Sequence, residues 1–399
     1  MQNSKLLKLF TGTIFSSFAQ HMNFVITGSL AYQLTKSEFF TSISWAGNAL
    51  AQIFAFPISI MITDNYPKNK NMFYSYVFAG LSAIVLALLL RLDIYNIWII
   101  ISYVVILGTA QFIGDTSGMS MVPYIVKNNY VQSTFSLIGL SYFISSTFAP
   151  ILSGKMIANY GNSPPVLLKS ILLISAALIY RRIKIENFQK SSQKIKFFES
   201  LKEGYSLIVK KQNVLNLFFI HWMIYLLAVP GIHGLIPVYA DEKFNWGPEG
   251  VGFLFTEIGL GGIISTILLI FTGDKIKNKI RIIFGCNVLA ATCMIMFAQI
   301  DSKIISFISL ILFSFSIINV LTLRLGLLGQ LMPKNQIGKI FSINFLSSST
   351  SIIGSTIIGV IAKSYSASIA TTVFGVTILI LSFLMVTFIK SFKNSIFPN

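Results

Sequence analysis

Long apolar runs separated by short polar intervals extend from one end of the chain to the other. A helix needs about 20 predominantly apolar residues to cross the hydrocarbon core of a bilayer. The chain contains twelve runs of this kind, which predict membrane-spanning helices at positions 8–34, 40–63, 71–90, 96–122, 130–158, 164–180, 214–240, 249–272, 280–300, 304–330, 337–362 and 368–389. Because the only long polar interval covers 181–213, little of the chain remains for a water-soluble domain.

The composition supports a membrane protein. Hydrophobic residues make up 54% of the 399 residues and charged residues only 11%, and the mean hydropathy is +0.75. Soluble domains carry about 25% charged residues, so a soluble globular protein is excluded. In a soluble chain the net charge of +17 would indicate a nucleic-acid partner. In a membrane protein the same cations act first as topology signals. We therefore expect the protein to lie in a lipid bilayer and to have no nucleic-acid partner.

The cationic residues are distributed unevenly between the two sides of the membrane. If the N-terminus is cytoplasmic, 22 of the 30 Lys and Arg residues fall on the cytoplasmic side and 6 on the other. The positive-inside rule favours this orientation, with both termini in the cytoplasm. The short external loops, which lack a usable glycosylation acceptor, fit a bacterial inner (plasma) membrane.

The two halves of the chain repeat at a fixed offset. Asp64 and Asp274 are 210 positions apart and each opens a short basic loop, and Pro123 and Pro333 are separated by the same number. An even number of spans in each half gives two parallel six-helix repeats. The predicted organisation is an N-terminal bundle, a basic cytoplasmic linker that contains an amphipathic helix at the membrane surface, and a C-terminal bundle, at 1–180, 181–213 and 214–399.

The loops and the repeat resemble the major facilitator superfamily over essentially the whole chain. Asp64 with Lys68, and Asp274 with Lys277, match that superfamily's signature loop, although the first copy lacks the glycine that precedes the aspartate. The resemblance implies an all-α fold of twelve transmembrane helices and a cavity lined chiefly by spans 1, 4, 7 and 10. It also implies alternating access and a gating role for these four loop residues.

Within the superfamily, three segments are similar to the bacterial macrolide-efflux and siderophore-exporter branch: Gly28–Ser37, Pro123–Val126 and Glu199–Ile208. The segment Ala149–Gly154 partly resembles antiporter motif C, with Ala and Ser in place of two glycines. This narrower resemblance implies export of a small amphiphilic molecule, either a drug or a siderophore.

Ionisable side chains inside a bilayer cost at least about 2.5 to 3.5 kcal/mol and tend to mark a transport pathway. Glu257 lies about 13 Å along its helix from Pro248, near the middle of the membrane. Desolvation at that depth favours the protonated carboxyl, so Glu257 is the first candidate for proton coupling, with Asp115 and His21 as further candidates. The alternative is a neutral carboxyl that is hydrogen-bonded to a neighbouring helix.

Asp115 and Arg324 occupy near-equivalent places in the two halves. One hypothesis is that they form an ion pair in one state of the transporter and separate in the other, which would give both a gating role. The other is that each residue faces water near the inner mouth.

Several further polar residues in the spans are candidates for substrate binding, although polar residues in spans also pack helices against one another. His233 lies in Pro230–Pro237, a run that cannot hold a regular helix. Lys169 lies near the outer end of its span, where snorkelling to the interface is expected. The substrate-binding candidates are Arg324, His21, Asn23, Gln111, His233 and Asn319.

The chain shows no nucleophile–base pair, phosphate-binding loop or metal-ligand spacing, so we expect neither an enzyme nor a metal site. The favoured function is secondary active transport driven by the proton gradient, without a cofactor, by a monomer that exports a small molecule. Two alternatives stay open. One is proton-coupled uptake of a small anionic metabolite or siderophore, in which Arg324 would contact the substrate, and the other is a membrane sensor that does not transport.

Overall fold

The computed structural model describes residues 2–126, 131–183, 197–332 and 337–396. Every regular element in these ranges is a helix, which confirms the predicted all-α class. The physical reason is that hydrocarbon offers no partner to backbone N–H and C=O groups, and a helix pairs these groups within its own segment.

The helices follow one another with short connections. In the first part of the chain they are α1 (Gln2–Thr35), α2 (Glu38–Asn65), α3 (Lys68–Arg91), α4 (Ile97–Ile125), α5 (Val131–Tyr160) and α6 (Ser163–Arg181). They continue with α7 (Phe197–Lys210), α8 (Gln212–Met223), α9 (Val229–His233), α10 (Ile236–Val238), α11 (Gly247–Thr272), α12 (Lys279–Gln299), α13 (Lys303–Leu331), α14 (Ile337–Ser347), α15 (Ser351–Ser364) and α16 (Ala367–Ile396).

Ten helical segments of the described ranges are long and apolar enough to cross a membrane. They correspond to predicted spans three to twelve. Helices α1 and α2 contain 34 and 28 residues and occupy the positions of predicted spans one and two, but they are not among these ten. The full count of twelve spans therefore stays a prediction.

The seventh span is interrupted, as its proline and glycine content predicts. It runs over Gln212–Lys243 but changes from α-helix to π-helix at Ile224–Ala228, and it forms a turn at positions 234 and 235. One residue, Val229, separates the π-helical turn from Pro230. A proline lacks a backbone N–H and its ring collides with the carbonyl four residues earlier, so a regular helix cannot pass through this run. The predicted break is confirmed.

The chain forms two compact units. Unit 1 comprises Met1–Lys194 and Ile236–Gly259, and unit 2 comprises Ile195–Leu235 and Leu260–Asn399. In unit 1, α3 packs against α4 and α6, and α1 packs against α5 and α6. In unit 2, α12 packs against α13 and α16. The predicted division into six-helix bundles at 1–180 and 214–399 stays a prediction.

Glycines allow α5 and α11 to approach each other closely within unit 1. A Cβ atom added to Gly154 would lie 2.7 Å from the carbonyl oxygen of Pro248, and one added to Gly259 would lie 2.5 Å from that of Ser146. A Cβ atom at Gly252 would collide with the α5 backbone in the same way. Transmembrane helices associate through van der Waals packing rather than a hydrophobic driving force, and small residues are what permits this contact.

We therefore predict that Gly259→Leu lowers the midpoint of thermal unfolding in detergent. A leucine cannot fit against the α5 backbone without displacing it, and overpacking of this kind costs about 1–3 kcal/mol. The matched control is Gly285→Leu in α12, because an added Cβ atom there meets nothing within 4 Å. Equal unfolding midpoints for the two variants would contradict a tight contact between α5 and α11.

Candidate functional site

Glu257 is buried in unit 1 with one carboxyl oxygen unpaired. It lies ten residues after the start of α11 at Gly247, about 15 Å along the helix axis. Its side chain is 2% exposed, and Oε2 has no hydrogen-bond partner in the described part of the chain. The neighbouring Thr256 donates a hydrogen bond of 2.9 Å to the backbone oxygen of Thr147 and so fixes α11 on α5. A charged carboxylate is costly in these surroundings, which favours binding of a proton.

His21 is buried in α1 and its tautomer follows from its hydrogen bond. Nδ1 lies 2.8 Å from the backbone oxygen of Ser17. Because a carbonyl oxygen only accepts, Nδ1 carries the hydrogen in the neutral ring and Nε2 remains the acceptor. The imidazole packs edge-on against Tyr142, with the ring centroids 4.4 Å apart.

Asp115 is half-buried in α4 and is held by a tyrosine of α3. The hydroxyl of Tyr76 donates a hydrogen bond to Oδ1 of Asp115. Gly114 makes room for this tyrosine, since a Cβ atom there would lie 2.8 Å from its ring. The ring of Tyr180 lies 5.3 Å from that of Tyr76, and its hydroxyl is 3.2 Å from Oγ of Ser16. No pattern in the sequence indicates this network, because a tyrosine in an apolar helix fits simple packing equally well.

Lys169 is fully buried, and the expectation that it snorkels to the interface is wrong. Its side chain is 0% exposed. Nζ donates a hydrogen bond of 2.6 Å to Oδ1 of Asn23 and another to the hydroxyl of Tyr103. Helix α6 packs on α1 and α3, so this position faces other helices rather than lipid. The carbonyl oxygen of Asn23, a predicted substrate ligand, is therefore engaged by an amine of the protein.

Arg324 is deeply buried in α13 of unit 2. Its side chain is 1% exposed, and Nη2 donates a hydrogen bond of 2.6 Å to Oδ1 of Asn344. Nε and Nη1 have no partner among the described residues. Nearby, Nε2 of His221 lies 3.3 Å from the hydroxyl of Ser348, and its ring centroid lies 4.6 Å from that of Tyr225. Since Nε carries one hydrogen and Nη1 carries two, at least three of the five guanidinium donors are unused.

Unit 2 contains no carboxylate inside a membrane-spanning helix that could neutralise Arg324. Its four acidic residues lie in α7 or at the ends of spans: Glu199, Glu203, Asp274 and Asp301. A buried charge without a counter-ion is unfavourable, so an anion from outside this set of residues would stabilise Arg324.

The remaining predicted ligands are placed as follows. Gln111 is 6% exposed in α4. Nδ1 of His233 donates a hydrogen bond of 3.1 Å to the backbone oxygen of Val229, within its own helix. Asn319 donates a hydrogen bond of 2.8 Å to Ser265 and so joins α13 to α11. A role of these residues in substrate binding stays a prediction.

The gating candidates are only partly described. Lys68 is 5% exposed, with Nζ 5.1 Å from the ring centroid of Tyr124, and Lys277 is exposed. The side chains of Asp64 and Asp274 lie outside the described residues. Within the described ranges, no group of three His, Cys, Asp or Glu side chains is arranged to hold a metal ion.

Membrane-spanning helices that bury ionisable groups among themselves are typical of polytopic membrane transport proteins. The sequence profile of the Major Facilitator Superfamily matches residues 9–355, so the chain belongs to that superfamily. The protein is a membrane transporter and not an enzyme.

Solved transporters share the fold over almost the whole chain. The nucleoside transporter NupG is 10% identical with a TM-score of 0.80, over 96% of this chain and 99% of its own. A POT family transporter in complex with a thioalcohol-conjugated peptide is 11% identical with a TM-score of 0.79, over 97% and 96%. The human organic anion transporter MFSD10 is 12% identical with a TM-score of 0.70, over 96% and 99%. Comparison with curated protein sequences gave no significant match.

We predict that Tyr103→Phe lowers the thermal stability of the protein. The change removes one of the two acceptors of the buried Lys169 amine, and leaving a buried donor without a partner costs about 1–3 kcal/mol. The matched control is Tyr160→Phe at the end of α5, where the tyrosine is 73% exposed. A Tyr103→Phe variant that unfolds at the temperature of the control would show that Lys169 does not depend on this hydroxyl.

Proposed function

We propose that the protein is a proton-coupled secondary transporter that exports a small amphiphilic molecule by alternating access. The observation that carries proton coupling is Glu257, which combines 2% exposure with an unpaired carboxyl oxygen. A carboxyl group that is expensive to ionise takes up a proton from the side with the higher proton concentration. It releases this proton when a conformational change hydrates it.

Export is supported by the segment that resembles the antiporter motif. Ala149–Gly154 lies in α5, and its Gly154 contacts the start of α11, the helix that carries Glu257. A change in the packing of α5 on α11 would therefore alter the surroundings of the carboxyl group directly. This is the coupling that an antiporter needs between the proton and a conformational change.

An anionic substrate is the second candidate, and the unused donors of Arg324 favour it. A guanidinium group pairs well with a carboxylate or a phosphate because its donors form a planar fork. The anion that neutralises it would come from the transported molecule, or from Asp115 in another conformation of the transporter. This candidate includes uptake of a small anionic metabolite or siderophore.

We predict that Glu257→Gln abolishes proton movement that depends on the transported compound. Glutamine keeps the shape of the side chain but cannot exchange a proton. The measurement is the internal pH of proteoliposomes during addition of cationic drugs, iron-free and iron-loaded siderophores, nucleosides, small peptides and small carboxylates. The matched control is Glu249→Gln, an exposed residue at the start of the same helix.

The sign of the proton flux distinguishes antiport from symport. If a compound crosses the membrane equally fast with and without Glu257→Gln, and moves no protons in either case, coupling through this carboxyl group is excluded.

We also predict that Asp115→Arg and Arg324→Asp each reduce transport at least about tenfold, because each change would leave one charge without its partner in the state in which the two pair. The double exchange would restore part of the activity if the two charges pair during the cycle. A double variant as inactive as the single variants would exclude their pairing. If activity on a carboxylate compound is lost in Arg324→Gln but retained on a neutral compound, the substrate supplies the anion.

A further inference from the structure

Unit 2 contains a cavity of about 370 Å³ between α8, α12 and α16. This volume is in the usual range of small-molecule sites, about 300–1,000 Å³. Most of the lining is apolar and aromatic, and neither Arg324 nor His221 belongs to it. The lining includes Gln212, Trp222, Ile280, Phe284, Asn287 and Ser382.

Two polar side chains of the lining are buried, and one of them has no hydrogen-bond partner among the described residues. Ser382 is 1% exposed, and its Oγ has no partner among the described residues. Asn287 is 3% exposed in α12, and its amide also lines the cavity. It lies seven residues after Ile280, about 10 Å further along the helix. An unsatisfied buried polar group costs free energy, so a ligand that offers a hydrogen-bonding group at this depth is favoured over an apolar one.

Two cationic residues adjoin the other end of the cavity lining along the chain. Lys211 and Arg281 are exposed and are the direct chain neighbours of the lining residues Gln212 and Ile280. Helices α8 and α12 both begin at this end, and helix N-termini favour negative charge. The segments 205–223 and 275–299 contain no Asp or Glu, and Asp274 directly precedes the second segment.

We propose that this cavity is a binding site for an amphiphilic anion. Its apolar or aromatic body would lie against Trp222 and Phe284. Its anionic group would lie at the end that carries Lys211 and Arg281, and a hydrogen-bonding group would reach Asn287 and Ser382.

The chemistry separates this ligand from the lipid that surrounds the protein. A phospholipid chain can fill the volume, but it offers no hydrogen bond to Ser382 or to the amide of Asn287. A cationic amphiphile would be repelled by Lys211, by Arg281 and by the helix N-termini. The site is distinct from the groups in the proposed transport mechanism, but it shares α8 with them. Trp222 lines the cavity, while its chain neighbour His221 contacts Ser348 beside Arg324.

The site can be tested on the full-length protein in nanodiscs of zwitterionic phospholipid. The two probes are 1-anilinonaphthalene-8-sulfonate and N-phenyl-1-naphthylamine, which share the aromatic body but differ in the sulfonate group. Replacement of Trp45, Trp98 and Trp246 by Phe leaves Trp222 as the only energy donor, so that transfer to the probe reports occupancy of this cavity. We expect saturable energy transfer from Trp222 to the sulfonate probe. The protein should bind this probe with an affinity at least about tenfold above that for the neutral probe.

Two variants separate the two ends of the site. Asn287→Leu keeps the size of the side chain and should weaken sulfonate binding about fivefold, the effect of one lost hydrogen bond. Its control, Asn159→Leu at the exposed end of α5, should change nothing. Arg281→Gln combined with Lys211→Gln should weaken binding of the sulfonate but not of the neutral probe.

Three results would overturn the proposal. The first is energy transfer from Trp222 that rises linearly with probe concentration, as expected for a probe that only partitions into lipid. The second is equal affinity for the two probes, which needs no substitution in the cavity to measure. The third is an affinity for the sulfonate that Asn287→Leu leaves unchanged. None of these measurements depends on transport, so their outcome is independent of the proposed function.

Discussion

A backbone N–H or C=O group finds no hydrogen-bond partner in hydrocarbon, and this constraint determines the structure of every apolar run in the chain. Helices satisfy these groups locally, but then the helices must associate without a hydrophobic driving force. The contact of α5 with α11 shows how the sequence meets this requirement. Gly154, Gly252 and Gly259 bring two backbones together where any side chain would separate them.

In the same hydrocarbon solvent, each buried ionisable group needs a hydrogen-bond partner or a counter-ion from the protein. In unit 1, hydrogen bonds with tyrosines and with Asn23 satisfy the polar groups of Lys169 and Asp115. Those of Glu257 and Arg324 are not all satisfied, since each residue keeps polar atoms without partners among the described residues. Such groups are stabilised by a change of protonation state or by binding an ion of opposite charge. For this reason the proposals for proton coupling and for an anionic substrate rest on these two residues.

Helix α8 presents two different chemical surfaces. One carries His221 toward Ser348 and the Arg324 cluster, and the other carries Trp222 into the cavity of unit 2. The span continues into the π-helical turn Ile224–Ala228 and the interrupted run that follows it. π-Helical turns occur often at functional sites, because the extra residue per turn reorients the side chains on either side. A ligand in the cavity would therefore act on the helix that also shapes the surroundings of Arg324.

The sequence by itself determined the class of fold, most span positions and the break in the seventh span. Span three was predicted at 71–90 and the helix covers Lys68–Arg91, because hydropathy is a property of consecutive residues. Proline geometry is equally local, and it marked Pro230–Pro237. The burial of Lys169, the partner of Asp115 and the cavity beside Trp222 were decided only by the tertiary structure. Each depends on which face of a helix meets which neighbour, and such contacts join residues far apart in the chain.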